Sequence, residues 1–158
     1  MKKFLFGGLA VIAVTVLLPA HISPRQVHAV VTPDYRSDWR LESLKRFFER
    51  TACPALRYAG EFLAAADIYD LDWRLLPSIS FIESTGGKAA PNNNLFGWDG
   101  GRAWFPSVTA SIHEVGYQLT HSNRYRDKDI DEILATYNPN SGYAAKVKHV
   151  MRQIAPVE

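Results

Sequence analysis

Val108, Ile112, Val115 and Leu119 fall at i, i+4, i+7 and i+11, the spacing that puts four apolar side chains on one face of an α-helix. The same period recurs through most of the chain after residue 36, and no alternating run long enough for a strand interrupts it. Ser37 or Asp38 can cap a first helix carrying Trp39, Leu41, Leu44, Phe47 and Phe48. Pro54 suits the first turn of a second, with Leu56, Ala59, Phe62, Leu63 and Ala66 on its face down to about Tyr69. Asp72 is placed to cap a third from Trp73 to about Ser84, with Pro77 early enough to be harmless. Gly86-Gly87 ends it. Ser107 can cap the helix of Val108–Leu119. A short helix starting at Asp129 or nearby carries Ile130, Ile133, Leu134 and Tyr137, and after the turn Asn138-Pro139-Asn140-Ser141-Gly142 a last helix carries Tyr143, Val147, Val150, Met151 and Ile154. The expected fold is all-α.

Residues 85–106 break this pattern. Turn formers (Thr85-Gly86-Gly87, Pro91-Asn92-Asn93-Asn94, Asp99-Gly100-Gly101) alternate with Leu95, Phe96, Trp98, Trp104 and Phe105. A structured loop held down by its aromatics is expected there, or a small hairpin around Gly100-Gly101.

The chain has 158 residues, enough for one domain. Its first 29 read as an export signal: Lys2 and Lys3, an apolar run from Phe4 to Ala20, then a polar stretch ending Val27-His28-Ala29. The alternative is an uncleaved anchor, since a run of 17 residues is at the short end for a bilayer span. Either reading places a domain of residues 30–158 outside the cytoplasm, in the periplasm, cell wall or medium. The export segment carries Lys2, Lys3 and Arg25 and no acid, so 15 of the 18 basic residues remain against 16 acidic ones. A domain so close to neutrality has no general basic field for nucleic acid. Membrane contact is expected only through the N-terminal segment if it stays uncleaved, and a monomer is expected. Cys53 is the only cysteine and sits in the apolar run Ala52–Leu56, which suits a small buried side chain. No disulfide within the chain and no thiolate metal cluster can form. His113, His121 and His149 do not make a metal-binding spacing, and no cofactor is expected.

Glu83 is the one acid between Asp72 and Asp99, and apolar residues precede it on a helix about to end. A carboxylate there meets the negative end of the helix dipole and apolar surroundings. Both favour the protonated form that a general acid requires.

Four pieces stand around it in order: Glu83-Ser84-x-x-Gly87-Lys88, Asn93-Asn94-Leu95-Phe96-Gly97, Ala135-Thr136-Tyr137-Asn138 and Tyr143-Ala144-x-Lys146-Val147. Together, over about residues 60–155, they resemble the lysozyme-like peptidoglycan hydrolases. The resemblance is closest to the glucosaminidase domain of glycoside hydrolase family 73, and the lytic transglycosylases are similar. It implies a lysozyme-like helical fold and an endo-β-N-acetylglucosaminidase acting on the β-1,4 glycan strands of peptidoglycan. Glu83 matches the residue that protonates the glycosidic oxygen. Tyr137 matches the tyrosine that positions that acid or the sugar. Ser84, Asn93, Asn94 and Asn138 fall in the matched motifs as candidate substrate-binding residues, with Ser84 also able to satisfy backbone groups at the helix end. Phe96, Trp98 and Trp104 are candidates for stacking on pyranose faces.

Hydrolysis needs a second carboxylate, about 6.5–9.5 Å from the acid for inversion or about 5–5.5 Å for a double displacement. Asp99 is the best candidate, although Asp-Gly-Gly is also an ordinary turn. A lytic transglycosylase, which needs one acid/base because the sugar's own 6-hydroxyl attacks, is the alternative enzyme. A non-catalytic peptidoglycan-binding or assembly module on the same fold is the alternative of another class.

Overall fold

The computed structural model describes residues 33–156; the signal or anchor expected over residues 1–29 lies outside them. Six α-helices make up the regular structure: α1 Trp39–Arg50, α2 Ala59–Tyr69, α3 Leu75–Ser84, α4 Val108–His121, α5 Ile130–Tyr137 and α6 Tyr143–Ile154. Short 3-10 turns occupy Tyr35–Ser37, Pro54–Tyr58 and Pro91–Asn93. No strand occurs among the described residues, so the segment before α4 is a structured loop and not the hairpin considered as its alternative. None of the described helices is long and apolar enough to cross a membrane.

Local chemistry accounts for most helix starts. The Asp38 carboxylate accepts the N–H of Arg40 to open α1, and the Ser107 hydroxyl accepts that of Ala110 to open α4. Asp129 and Glu132 form a reciprocal capping box on α5. Two expected boundaries shift. The helix expected from Pro54 is a 3-10 turn first, and becomes α-helical only at Ala59. The helix expected from Trp73 begins at Leu75, because Asp72 spends its carboxylate on the backbone and side chain of Arg74, forming a turn ahead of α3.

α3 is the central helix. It packs chiefly against α6, while α2 packs against α4 and α1 against α2 and α6. Leu75 through Ser80 are all buried, so its first turn and a half has no solvent face. Phe47, Phe48, Phe62 and Phe96 fill the space around it. Edge-to-face and tilted contacts run from Phe47 to Phe48 to Phe62 to Phe96, with ring centroids 5.6–6.5 Å apart. Each such ring removes on the order of 150–250 Å² from water, which is the main stabilising term for a domain of this size.

The end of α3 is built tightly. Thr85 caps it in the left-handed region (φ 52°), and the N–H groups of Thr85 and Gly86 return to the carbonyls of Phe81 and Ser80. Gly86 follows at φ 60°, directly over the buried Cys53. A Cβ on Gly86 would stand 1.9 Å from Cys53 Sγ. Cys53 is thus the floor of this turn, in keeping with a packing role. Gly86→Ala is expected to cost about 2–4 kcal/mol, combining left-handed strain with overpacking. Adding Cys53→Ala removes the collision and should recover part of that loss. Denaturant unfolding of the single and double variants checks this; a Gly86→Ala protein as stable as wild type refutes it.

Candidate functional site

Glu83 occupies the last turn of α3 and is half-buried. Its Oε1 accepts a 2.7 Å hydrogen bond from the hydroxyl of Tyr143, the first residue of α6. Its Oε2 receives no hydrogen bond from the described residues and faces Gly97, whose backbone adopts φ 58°. A Cβ at Gly97 would lie 2.8 Å from Oε2, so only glycine leaves the carboxyl its present place.

Ser84 and the loop bring Gly97 to this position. The Ser84 hydroxyl is buried and lies 2.8 Å from the carbonyl of Leu95 and 3.1 Å from that of Ser80, while accepting the N–H of Gly87 at 2.9 Å. It fastens the returning loop to the helix end and is not presented to a substrate. Asn94 is also turned inward. Its Oδ1 accepts the N–H of Trp98 at 2.9 Å and its Nδ2 donates to the Trp98 carbonyl at 3.0 Å. Asn93 donates to the Phe105 carbonyl at 2.8 Å, closing the other side of the loop. Phe96, expected to stack on sugar, is fully buried against Phe62. For Ser84, Asn94 and Phe96 the substrate-binding expectation is therefore corrected. A loop of this length must satisfy its own backbone and bury an anchor before it can hold a ligand.

Tyr137 stands near Glu83, but its hydroxyl donates to the Phe96 carbonyl and not to the carboxyl. Tyr143 holds the carboxyl because α6 packs directly on α3, whereas α5 ends under the loop. The two rings stack, with centroids 6.0 Å apart and planes 7° from parallel. Burial, and then the hydrogen bond to Glu83, push the Tyr143 phenol far above its ordinary range. Burial, and then the Glu83 charge, do the same to Tyr137. Both phenols remain protonated donors at any physiological pH. With Oε1 committed as an acceptor, Oε2 is the oxygen left open.

Two cavities flank the contact between this carboxyl and Gly97. One, of about 340 Å³, is lined by Gly97, Trp98, Asp99, Arg124, Tyr125 and Tyr137. The other, of about 260 Å³, is lined by Glu83, Asn138, Tyr143 and Lys146 among others. Gly97 in the first abuts Glu83 in the second, and Tyr137 in the first stacks on Tyr143 in the second. Trp98 leans on Tyr137 and Tyr125 at 5.7 and 6.0 Å, giving the first cavity an aromatic wall. Trp98 also borders a third cavity of about 500 Å³, which holds Trp104, 69% exposed. Asn138 remains a candidate, although its Oδ1 is engaged by the Asn140 N–H at 3.1 Å.

Asp99 lies on the rim of the first cavity, in a left-handed turn (φ 54°). Its carboxylate is bound by Arg102 at 2.8 Å, and that hydrogen bond holds it below the usual carboxylate range. It is ionised and exposed, in contrast to the half-enclosed Glu83.

Of the site residues, Glu83, Trp98, Asn138 and Tyr137 do converge, and Trp104 and Asp99 border the same region. Tyr143, Gly97 and Lys146 were legible only as members of the motifs around Glu83. No family model matches the chain, and neither a curated protein nor a solved structure shows detectable similarity to it.

Proposed function

We propose that the protein is an exported glycan-cleaving enzyme of lysozyme-like architecture. Its substrate is the β-1,4 glycan strand of peptidoglycan, cleaved in the manner of an endo-β-N-acetylglucosaminidase with Glu83 as general acid. The observation that carries this reading is the carboxyl of Glu83 lining one cavity and abutting the wall of a second, one oxygen held by Tyr143 and the other open beside Gly97. Protonation of the glycosidic oxygen by Oε2 would break the bond to C1 and leave an oxocarbenium-like sugar. Trp98 and Tyr137 offer aromatic surface to the rings on one side.

A second reading rests on Asp99. Its pairing with Arg102 on the exposed rim leaves Glu83, among the described residues, as the only carboxylate lining the two cavities that is free of an ion pair. That favours intramolecular attack by the 6-hydroxyl, as in a lytic transglycosylase. Mass spectrometry of digested peptidoglycan separates the two: hydrolysis leaves a reducing sugar, and transglycosylation a 1,6-anhydro end. Absence of both products from the wild-type protein would overturn the enzymatic reading. Asp99→Asn sharpens the result, because asparagine keeps the turn but cannot act as base or nucleophile. On the hydrolase reading it is expected to cost nearly as much activity as the loss of Glu83. Near-normal turnover with 1,6-anhydro products would install the second reading.

A further inference from the structure

Each of the two cavities beside Glu83 carries a cation with no acidic partner among the described residues. Lys146 lines the cavity that contains Glu83 and makes no ion pair with the described residues, not even with Glu83 itself. Arg124 lines the other. Its guanidinium donates to the Thr136 carbonyl at 3.1 Å and lies 5.7 Å from the centre of the Tyr125 ring, which aims it without neutralising it. Asp99, the carboxylate of that cavity, is occupied by Arg102, so it does not cancel Arg124. Among the other described basic residues, Arg36, Arg40, Lys45, Arg74, Arg102 and Lys148 have carboxylate partners within 4.0 Å, while Arg46, Arg50, Arg57, Lys88, Arg126, Lys128 and Arg152 have none; what sets Lys146 and Arg124 apart is that they line the two cavities beside Glu83.

We propose that Lys146 and Arg124 are specificity-determining residues that bind carboxylates carried by the substrate on the two sides of the bond Glu83 cleaves. The inference deepens the proposed function and rests on it. A neutral glycan fills the cavities but leaves both cations without a counter-ion. A strand bearing an acid group on its sugars supplies one to each. The open mouths of the cavities suit this, since exposed cations lose little hydration while unoccupied and gain a charge-assisted bond when filled. The carboxylate could come from a lactyl ether on the sugar or from a peptide attached to it, and the two are separated below.

The test is binding to the full chain carrying Glu83→Gln, so that turnover does not intrude. Three oligosaccharides of equal length serve as probes. One is neutral β-1,4-linked N-acetylglucosamine. One alternates it with N-acetylmuramic acid bearing free lactyl groups. The third carries peptide on those groups. The acidic forms are expected to bind about tenfold tighter than the neutral one at low salt, with the advantage shrinking as ionic strength rises. Lys146→Gln and Arg124→Gln are each expected to remove several-fold of that advantage and leave the neutral probe unchanged. Lys88→Gln, at an exposed lysine outside both cavities, should change nothing. Tighter binding of the lactyl probe than of the peptide probe names the lactyl group as the ligand; the reverse order names the peptide. Equal binding of acidic and neutral probes overturns this proposal and leaves the glycan-cleaving reading standing. So do variants that weaken every probe alike. Failure of all three probes to bind overturns both.

Discussion

Glu83→Gln is expected to lower glycan cleavage by about 10²–10⁴-fold, the range for removal of a general acid. Glutamine fills the same space and can still accept from Tyr143 through its carbonyl oxygen, so the geometry between α3 and α6 survives. What it lacks is an oxygen beside Gly97 that can take up and deliver a proton. The variant should therefore melt near the wild-type temperature and still bind glycan. Turnover within a few-fold of wild type would remove Glu83 from the chemistry. Loss of folding together with activity would make Glu83 a structural acid.

Tyr143→Phe is expected to lower kcat roughly 10–100-fold with little effect on KM. That is the range for losing a hydrogen bond to a charged or ionisable partner. The ring stays, and with it the stack on Tyr137 at 6.0 Å. The carboxyl loses the donor that fixes Oε1 as acceptor, and with it the orientation that keeps Oε2 open beside Gly97. Tyr137→Phe should behave differently. It leaves the Phe96 carbonyl without its donor, so it should cost about 1 kcal/mol in stability and less in rate than Tyr143→Phe. Melting temperature and kcat for the two variants, measured side by side, check the assignment. A Tyr137→Phe enzyme slower than Tyr143→Phe would return the positioning role to Tyr137.

Helix positions were legible because burial on one face writes itself into spacing: Val108, Ile112, Val115 and Leu119 predict α4 and are buried or half-buried as a stripe on it. Glu83 was legible for a related reason, as a lone acid in an apolar turn that glycines terminate. Capping residues of α1, α4 and α5 were also in view, since a cap acts within three residues. The start of α3 was misplaced because Asp72 offered the right side chain but found a nearer use on Arg74.

The site itself was only half legible. Sequence alone determined which residues are chemically able to serve: one acid at a helix end, tyrosines, tryptophans and amides in turns. It could not say which way each would face. Ser84, Asn94 and Phe96 belong to the same motif pieces as Glu83 and Gly97, yet they point inward. Loop backbone groups have no helix or sheet to satisfy them, and these side chains take on that task. Tyr137 and Tyr143 are six positions apart, and both rings reach the site. Only the packing of α6 on α3 decided that Tyr143 would hold the carboxyl, because a hydrogen bond between residues 60 positions apart is set by tertiary contact and leaves no periodic trace.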